Sequence, residues 1–177
     1  MLHEDLLAIS LSGSGLHAAR YGGSFRRIAV PVDGQPGSIT AVTLAAGLCV
    51  ASGGELLLVH VRIYDPPVRG SGRFFPESSQ EATSLLDNAV SGAWASGARA
   101  RGVVVDAPRR QAAAVISGTA RHWNADAIVL ARPARPGISR LVLGSVSDQI
   151  LRQADCPVLV VRPDEHDSSP GGSRACH

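Results

Sequence analysis

The feature that most constrains this chain is a set of short apolar runs separated by segments of helical periodicity. The runs are Ile28-Ala29-Val30-Pro31-Val32, Leu56-Leu57-Leu58-Val59-His60-Val61, Gly102-Val103-Val104-Val105, Ala127-Ile128-Val129-Leu130-Ala131 and Pro157-Val158-Leu159-Val160-Val161. They are continuous rather than alternating, the pattern of strands covered on both faces, which is how parallel sheets bury themselves. Between the first two runs, Ile39, Val42, Ala46 and Cys49 recur at helical spacing, with Ser38 as the expected N-cap and Gly53-Gly54 as the stop, so residues 38 to 52 read as a helix. Further helices are expected over residues 77 to 96, with Ala82, Leu85, Leu86, Ala89, Ala93 and Trp94 as the buried stripe, then over 111 to 122 and 145 to 154. The order βαβαβαβαβ predicts a doubly wound parallel sheet, whose ligands bind beyond the carboxyl ends of the strands where the winding reverses. The loops after the first and fourth strands are therefore the ones to inspect.

At 177 residues the chain supports one well-buried domain. Residues 1 to 25 carry Ser and Gly clusters and read as a flexible extension or loosely docked arm; residues 26 to 163 form the domain; the polar tail from 164 to 177 is expected to be disordered. Residues 64 to 76, rich in Pro and Gly, read as a mobile or lid-like connection.

Composition removes several function classes. All 17 basic residues are Arg. A chain without Lys has no Walker-type phosphate lysine and no Schiff-base nucleophile. Aromatic residues make up 4% and the net charge is +2, which argues against a base-stacking surface or a polyanion track, so no nucleic-acid partner is expected. Cys49, Cys156 and Cys176 are far apart, without a C-x-x-C, and indicate neither a disulfide framework nor a metal site. Glu4 and Asp5 stand where a secretory signal would be basic, and no apolar stretch reaches the ~18 residues of a membrane span, so a cytoplasmic protein without a membrane partner is expected.

Two places could carry chemistry. Asp33 ends the first strand at the switch point, either as a turn former before Gly34 or as a ligand contact. Gly144-Ser145-Val146-Ser147-Asp148 opens the last helix, where glycine lets backbone amides approach an anion and where Ser145 and Asp148 also have capping-box spacing. His60 reads as a satisfied or loop-anchoring core histidine. His122 and Trp123 read as packing residues at a helix end. No serine has an inferable His/Asp partner, so no catalytic residue is assigned.

Taken together, Pro31-Val32-Asp33, His60-Val61, Gly144-Ser145-Val146-Ser147 and Asp155-Cys156-Pro157-Val158-Leu159-Val160-Val161 resemble the universal stress protein pattern across residues 26 to 163. The resemblance implies a three-layer α/β/α domain around an open parallel five-stranded sheet of strand order 3-2-1-4-5. It implies a cofactor, ATP or a related adenine nucleotide with or without Mg. The site would comprise Pro31, Val32, Asp33 near the ribose, Val61 through its backbone at the adenine edge, Ala131, Arg132 and Ala134, and then Gly144, Ser145, Val146 and Ser147 at the phosphates. It also implies homodimerisation through Pro157, Val158, Leu159, Val160 and Val161, a short apolar run that reads as a sheet edge.

The chain departs from the family's nucleotide motif, Gly-x-x-Gly, nine residues, then Gly-Ser/Thr. Ala131 and Ala134 occupy the two first glycine positions, and Pro133 removes an amide donor between them. Where such a glycine has positive φ, alanine costs about 1 kcal/mol. Arg132, Arg135 and Arg140 offer compensating cations, or are simply solvated arginines. The leading expectation is a nucleotide-responsive stress regulator. The alternatives are a nucleotide-independent interaction module, since the family includes members without the motif, and a slow ATP hydrolase. For the last, related folds use a Ser-Gly-Gly-x-Asp-Ser loop after the first strand, where this chain has Asp33-Gly34-Gln35-Pro36-Gly37-Ser38.

Overall fold

The computed structural model describes residues 9–10, 25–65, 72–132 and 145–162. Each apolar run forms a strand: β2 (Arg27–Pro31), β3 (Glu55–Tyr64), β4 (Arg99–Pro108), β5 (Ala127–Ala131) and β6 (Val158–Val161). A further strand, β1 (Ile9–Ser10), precedes them. The helices are α1 (Pro36–Ser52), α2 (Ser79–Ala95), α3 (Ala112–His122) and α4 (Ser145–Gln153), with one 3-10 turn, Arg109–Gln111, ahead of α3.

The sheet order is β1-β6-β5-β2-β3-β4, and β2 to β6 are mutually parallel. In order of occurrence the parallel strands are therefore arranged 3-2-1-4-5. β2 lies between β3 and β5, so the winding reverses beside its carboxyl end.

The continuous apolar runs are explained by the two layers of core. Alternate residues of one strand enter opposite layers. Ile28, Val30, Leu56, Leu58 and Val129 pack under α1 and α2 with Ala45, Cys49 and Leu86. Ala29, Leu57, Val59, Ile128 and Leu130 pack under α3 and α4 with Ile116, Trp123 and Ile150. α2 meets β4 so closely that a Cβ at Gly102 would lie 2.5 Å from Leu86 Cγ.

Several expectations need correction. α1 begins at Pro36, whose fixed φ suits a first helical position, and Gln35 is its N-cap. Ser38 is inside the helix and turns its hydroxyl back to Gln35 O at 2.7 Å. Gly53 closes α1 in the left-handed region, φ 66°, as expected. Trp94 is not in the buried stripe of α2: it is 61% exposed, and its Nε1 donates to Ala100 O.

The connection after the second strand is also more structured than its composition suggests. β3 runs on to Tyr64, and Asp65 bridges back to Phe74. The Tyr64 and Phe75 rings lie 5.3 Å apart, and the Arg62 guanidinium stands 4.1 Å from the Phe75 ring centre. Residues 66–71, the middle of the proposed lid, lie outside the described residues.

Within the N-terminal extension, Ile9 and Ser10 pair antiparallel with Leu159 and Val158. The β6 edge is therefore partly occupied by the chain's own arm. Among the described residues no helix is long and apolar enough to cross a membrane.

Candidate functional site

At the switch point the chain leaves β2 through Val32, which is buried and donates its N–H to Val59 O at 2.9 Å. Its own carbonyl accepts from His60 Nδ1 at 2.8 Å. His60 is 6% exposed, and its Nε2 lies 2.8 Å from Glu77 Oε2, just ahead of α2. One buried histidine thus pins the exit of β2 to the entry of α2. This is the loop-anchoring role read from the sequence.

Asp33 follows, exposed. Its Oδ1 accepts the Gln35 N–H at 3.0 Å, and among the described residues Oδ2 has no partner. The turn and ligand readings of Asp33 are therefore compatible, one oxygen serving each. Gly34 takes φ +75°, which favours glycine, and a Cβ there would come within 2.8 Å of Leu85 Cδ1, a side-chain end that could turn aside.

β3 extends past β2 at this point. The last residue of β2, Pro31, is in register with Val59. Backbone groups two residues apart on a strand point to the same side. Since Val59 O faces β2, the N–H and C=O of the half-buried Val61 face the same side, past the last residue of β2. On the other flank, Ala131 ends β5 in register with Val161, and Arg132 donates its N–H to Val161 O at 2.8 Å.

Pro31, Val32, Asp33, Val61, Ala131 and Arg132 are thus brought together at the carboxyl ends of three adjacent strands. Ala131 has ordinary strand backbone, without positive φ, so alanine carries no backbone strain at the first glycine position. Ala134 and Gly144, with Pro133, Arg135 and Arg140, lie outside the described residues.

Ser145, Val146 and Ser147 form the first turn of α4, with Ser145 exposed and the other two half-buried. The capping-box reading of Ser145 and Asp148 is not what forms. Asp148 turns the other way, to Arg152 one turn later, at 3.2 Å.

A groove of about 390 Å³ runs between α1 and α2 and reaches Val32 and Gly34. Its described lining, Val42, Ala46, Leu85 and Ala89 among others, includes no charged side chain. Such a surface has nothing with which to neutralise phosphate, so this groove, which adjoins the switch-point cleft at Val32 and Gly34, is no phosphate subsite.

Glu77, Arg62 and Asp106 were not singled out in the sequence, although they shape the rim of the site. Arg62 makes a bidentate pair with Asp106 at 2.8 and 2.7 Å and also reaches Ser79. The Arg62 hydrogen bonds, with its charge, hold the Asp106 carboxyl below its ordinary range. Their partners lie on different elements, so linear spacing carried no signal. Ser78 and Glu81 form a full capping box on α2, and that spacing was legible.

The fold and the cleft define the class: an open, doubly wound α/β domain whose ligand cleft lies where the strand order reverses. Within that class the chain belongs to the universal stress protein family, whose profile matches residues 24–162. It is 27% identical over 148 residues to a universal stress protein of Methanocaldococcus jannaschii, covering 78% of this chain and 82% of that protein. Two solved structures share the fold. A universal stress protein in complex with cAMP aligns with a TM-score of 0.61 at 22% identity, over 80% of this chain and 99% of that one. The Archaeoglobus fulgidus protein in complex with dAMP aligns at 0.60 and 23%, over 78% and 99%.

Proposed function

We propose that this protein is a nucleotide-responsive stress regulator, acting in the cytoplasm, which binds ATP or a related adenine nucleotide in the switch-point cleft. The observation that carries this reading is the convergence, past the carboxyl end of β2 and beside the end of β5, of an Asp33 oxygen without a partner among the described residues and of the Val61 backbone on β3. An exposed carboxylate oxygen suits a ribose hydroxyl, and a strand end with free N–H and C=O suits the donor and acceptor edge of adenine. Pro31 and Val32 stand on one side and Ala131 and Arg132 on the other; in this reading Ala134 and Gly144 would join them, and Gly144, Ser145, Val146 and Ser147 would meet the phosphates at the start of α4. Family relatives crystallised with cAMP and dAMP support an adenine nucleotide as the ligand class. The residues fit the nucleoside part well. Toward the phosphates, the described chain offers Arg132 and the first turn of α4, a set that would work with or without Mg.

Among the described residues of the cleft none pairs a nucleophile with a base, and the role we propose is binding rather than turnover. Titration calorimetry with ATP tests the reading. Saturable binding is expected, and Asp33→Ala should weaken it about tenfold, the equivalent of one lost hydrogen bond to a charged group. No heat at millimolar ATP with the intact protein would favour the nucleotide-independent interaction module instead. Turnover near 1 per second would overturn the non-enzymatic assignment.

We also propose that the protein forms a homodimer through Pro157, Val158, Leu159, Val160 and Val161. The support is that β1 occupies only the Val158 and Leu159 positions of this edge, leaving Val160 and Val161 without a neighbour from β1.

A further inference from the structure

The amino ends of the strands, opposite the switch-point cleft, hold an arrangement that nucleotide binding there does not use. Trp123, at the end of α3, is 8% exposed, and two guanidinium groups converge on its ring: Arg27 from β2 at 5.2 Å from the ring centre and Arg101 from β4 at 5.1 Å. Arg27 is half-buried and Arg101 is exposed. Among the described residues neither guanidinium has a carboxylate partner or a hydrogen bond, and the indole Nε1 is buried without an acceptor.

The neighbouring carboxylates are engaged elsewhere. Asp126 accepts the backbone N–H groups of Arg26 and Arg27 at 2.8 and 3.0 Å. Asp155 pairs with Arg121 at 3.1 Å. Glu55, which is in register with Arg27, lies 3.8 Å from Arg99 instead. Two cations are thus held within 5.2 Å of one ring centre, and among the described residues no carboxylate is shared between them to balance the charge.

We propose that Arg27 and Arg101, on the Trp123 platform, form a second ligand site that binds the phosphate group of a soluble phosphate monoester. Two guanidinium forks match the planar, bidentate recognition of phosphate oxygens. A phosphate monoester carries close to two negative charges at neutral pH and balances both arginines, which a single carboxylate does not. The buried indole excludes water from the side of each guanidinium that it covers and strengthens charge-assisted bonds made there. The site and the switch-point cleft lie at opposite ends of the strands, so the two occupancies are read independently.

Proton–nitrogen NMR of the full chain tests this, because the chain has only two tryptophans and Trp94→Phe identifies the Trp123 indole signal. Glycerol 3-phosphate and inorganic phosphate, titrated against sodium chloride at matched ionic strength, should each shift that signal saturably. Arg27→Gln and Arg101→Gln should each weaken the response at least tenfold, while Arg109→Gln, on the exposed turn after β4, should leave it within twofold. A shift that chloride reproduces, or wild-type affinity in both variants, would mean that the arginines merely shield the indole, and overturns the proposal. Sedimentation with phosphatidic acid vesicles, without response to the two soluble probes, overturns the assignment to a soluble ligand.

Discussion

Asp33 and His60 show how much one residue can settle at this site. Asp33 spends one oxygen on the turn that carries the chain from β2 into α1, and among the described residues the other has no partner. His60 holds the carbonyl immediately before it. Replacing His60 with Ala removes both anchors and leaves a void in a buried position. The expected loss is about 2 kcal/mol of unfolding free energy at pH 7, measured by urea denaturation, with weaker ATP binding by calorimetry. Asp106 supplies a pH signature. Its folded-state value lies below its unfolded value because Arg62 hydrogen-bonds and attracts the ionised form. The resulting stabilisation is complete above about pH 4, the ordinary aspartate range, and is lost as pH falls through the folded value. Asp106→Asn should therefore lower the urea midpoint at pH 7, with the gap from wild type closing toward pH 3. The two described cysteines are chemically quiet, since burial pushes both the Cys49 and Cys156 thiols up to about 11.

Among the elements, the strands were legible because a fully covered strand leaves a continuous apolar run, and β5 matches its predicted span of residues 127 to 131. The edge of that method is visible at β3 and β4, each of which extends to ten residues. Beyond the predicted runs these strands mix polar residues, Arg62 and Asp106 among them, with Ile63, Tyr64 and the buried Ala107 and Pro108, all in register in the β3–β4 ladder. A mixed sequence of this kind gives no continuous hydropathy signal. Trp94 failed for the related reason that a large ring at helical spacing was counted as core, although the helix rotates it past the sheet to bond Ala100 O. Gly102 is the point where helix and strand come closest. Gly102→Ala should drive a methyl group into Leu86 and cost about 1–3 kcal/mol in thermal or urea unfolding. A neutral result would mean that α2 can withdraw from β4 without loss.

On the scale of the whole molecule, the balance is between β1 and a second copy of the chain for the β6 edge. β1 is two residues long, and so short a strand holds its place weakly. If the dimer forms through β6, displacement of β1 exposes more of the edge. Ile9→Pro in the full chain removes an amide from that pairing, and light scattering should then show dimer at protein concentrations at least tenfold lower than for wild type. An unchanged association would place the dimer contact elsewhere or leave β1 outside it.

The sequence by itself determined the class of fold and the location of the cleft, because runs covered on both faces and helices of apolar period admit little besides a doubly wound sheet. It also singled out Asp33 at the switch point, whereas Val61 entered only through the family resemblance. Only the tertiary structure decided which Asp33 oxygen the turn engages, that Val61 faces past the end of β2, and that β1 returns to the far edge. It alone brought Arg27 and Arg101, from strands that are not neighbours, onto one tryptophan. Those facts depend on register and crossover, which join residues far apart in the chain and leave no local pattern.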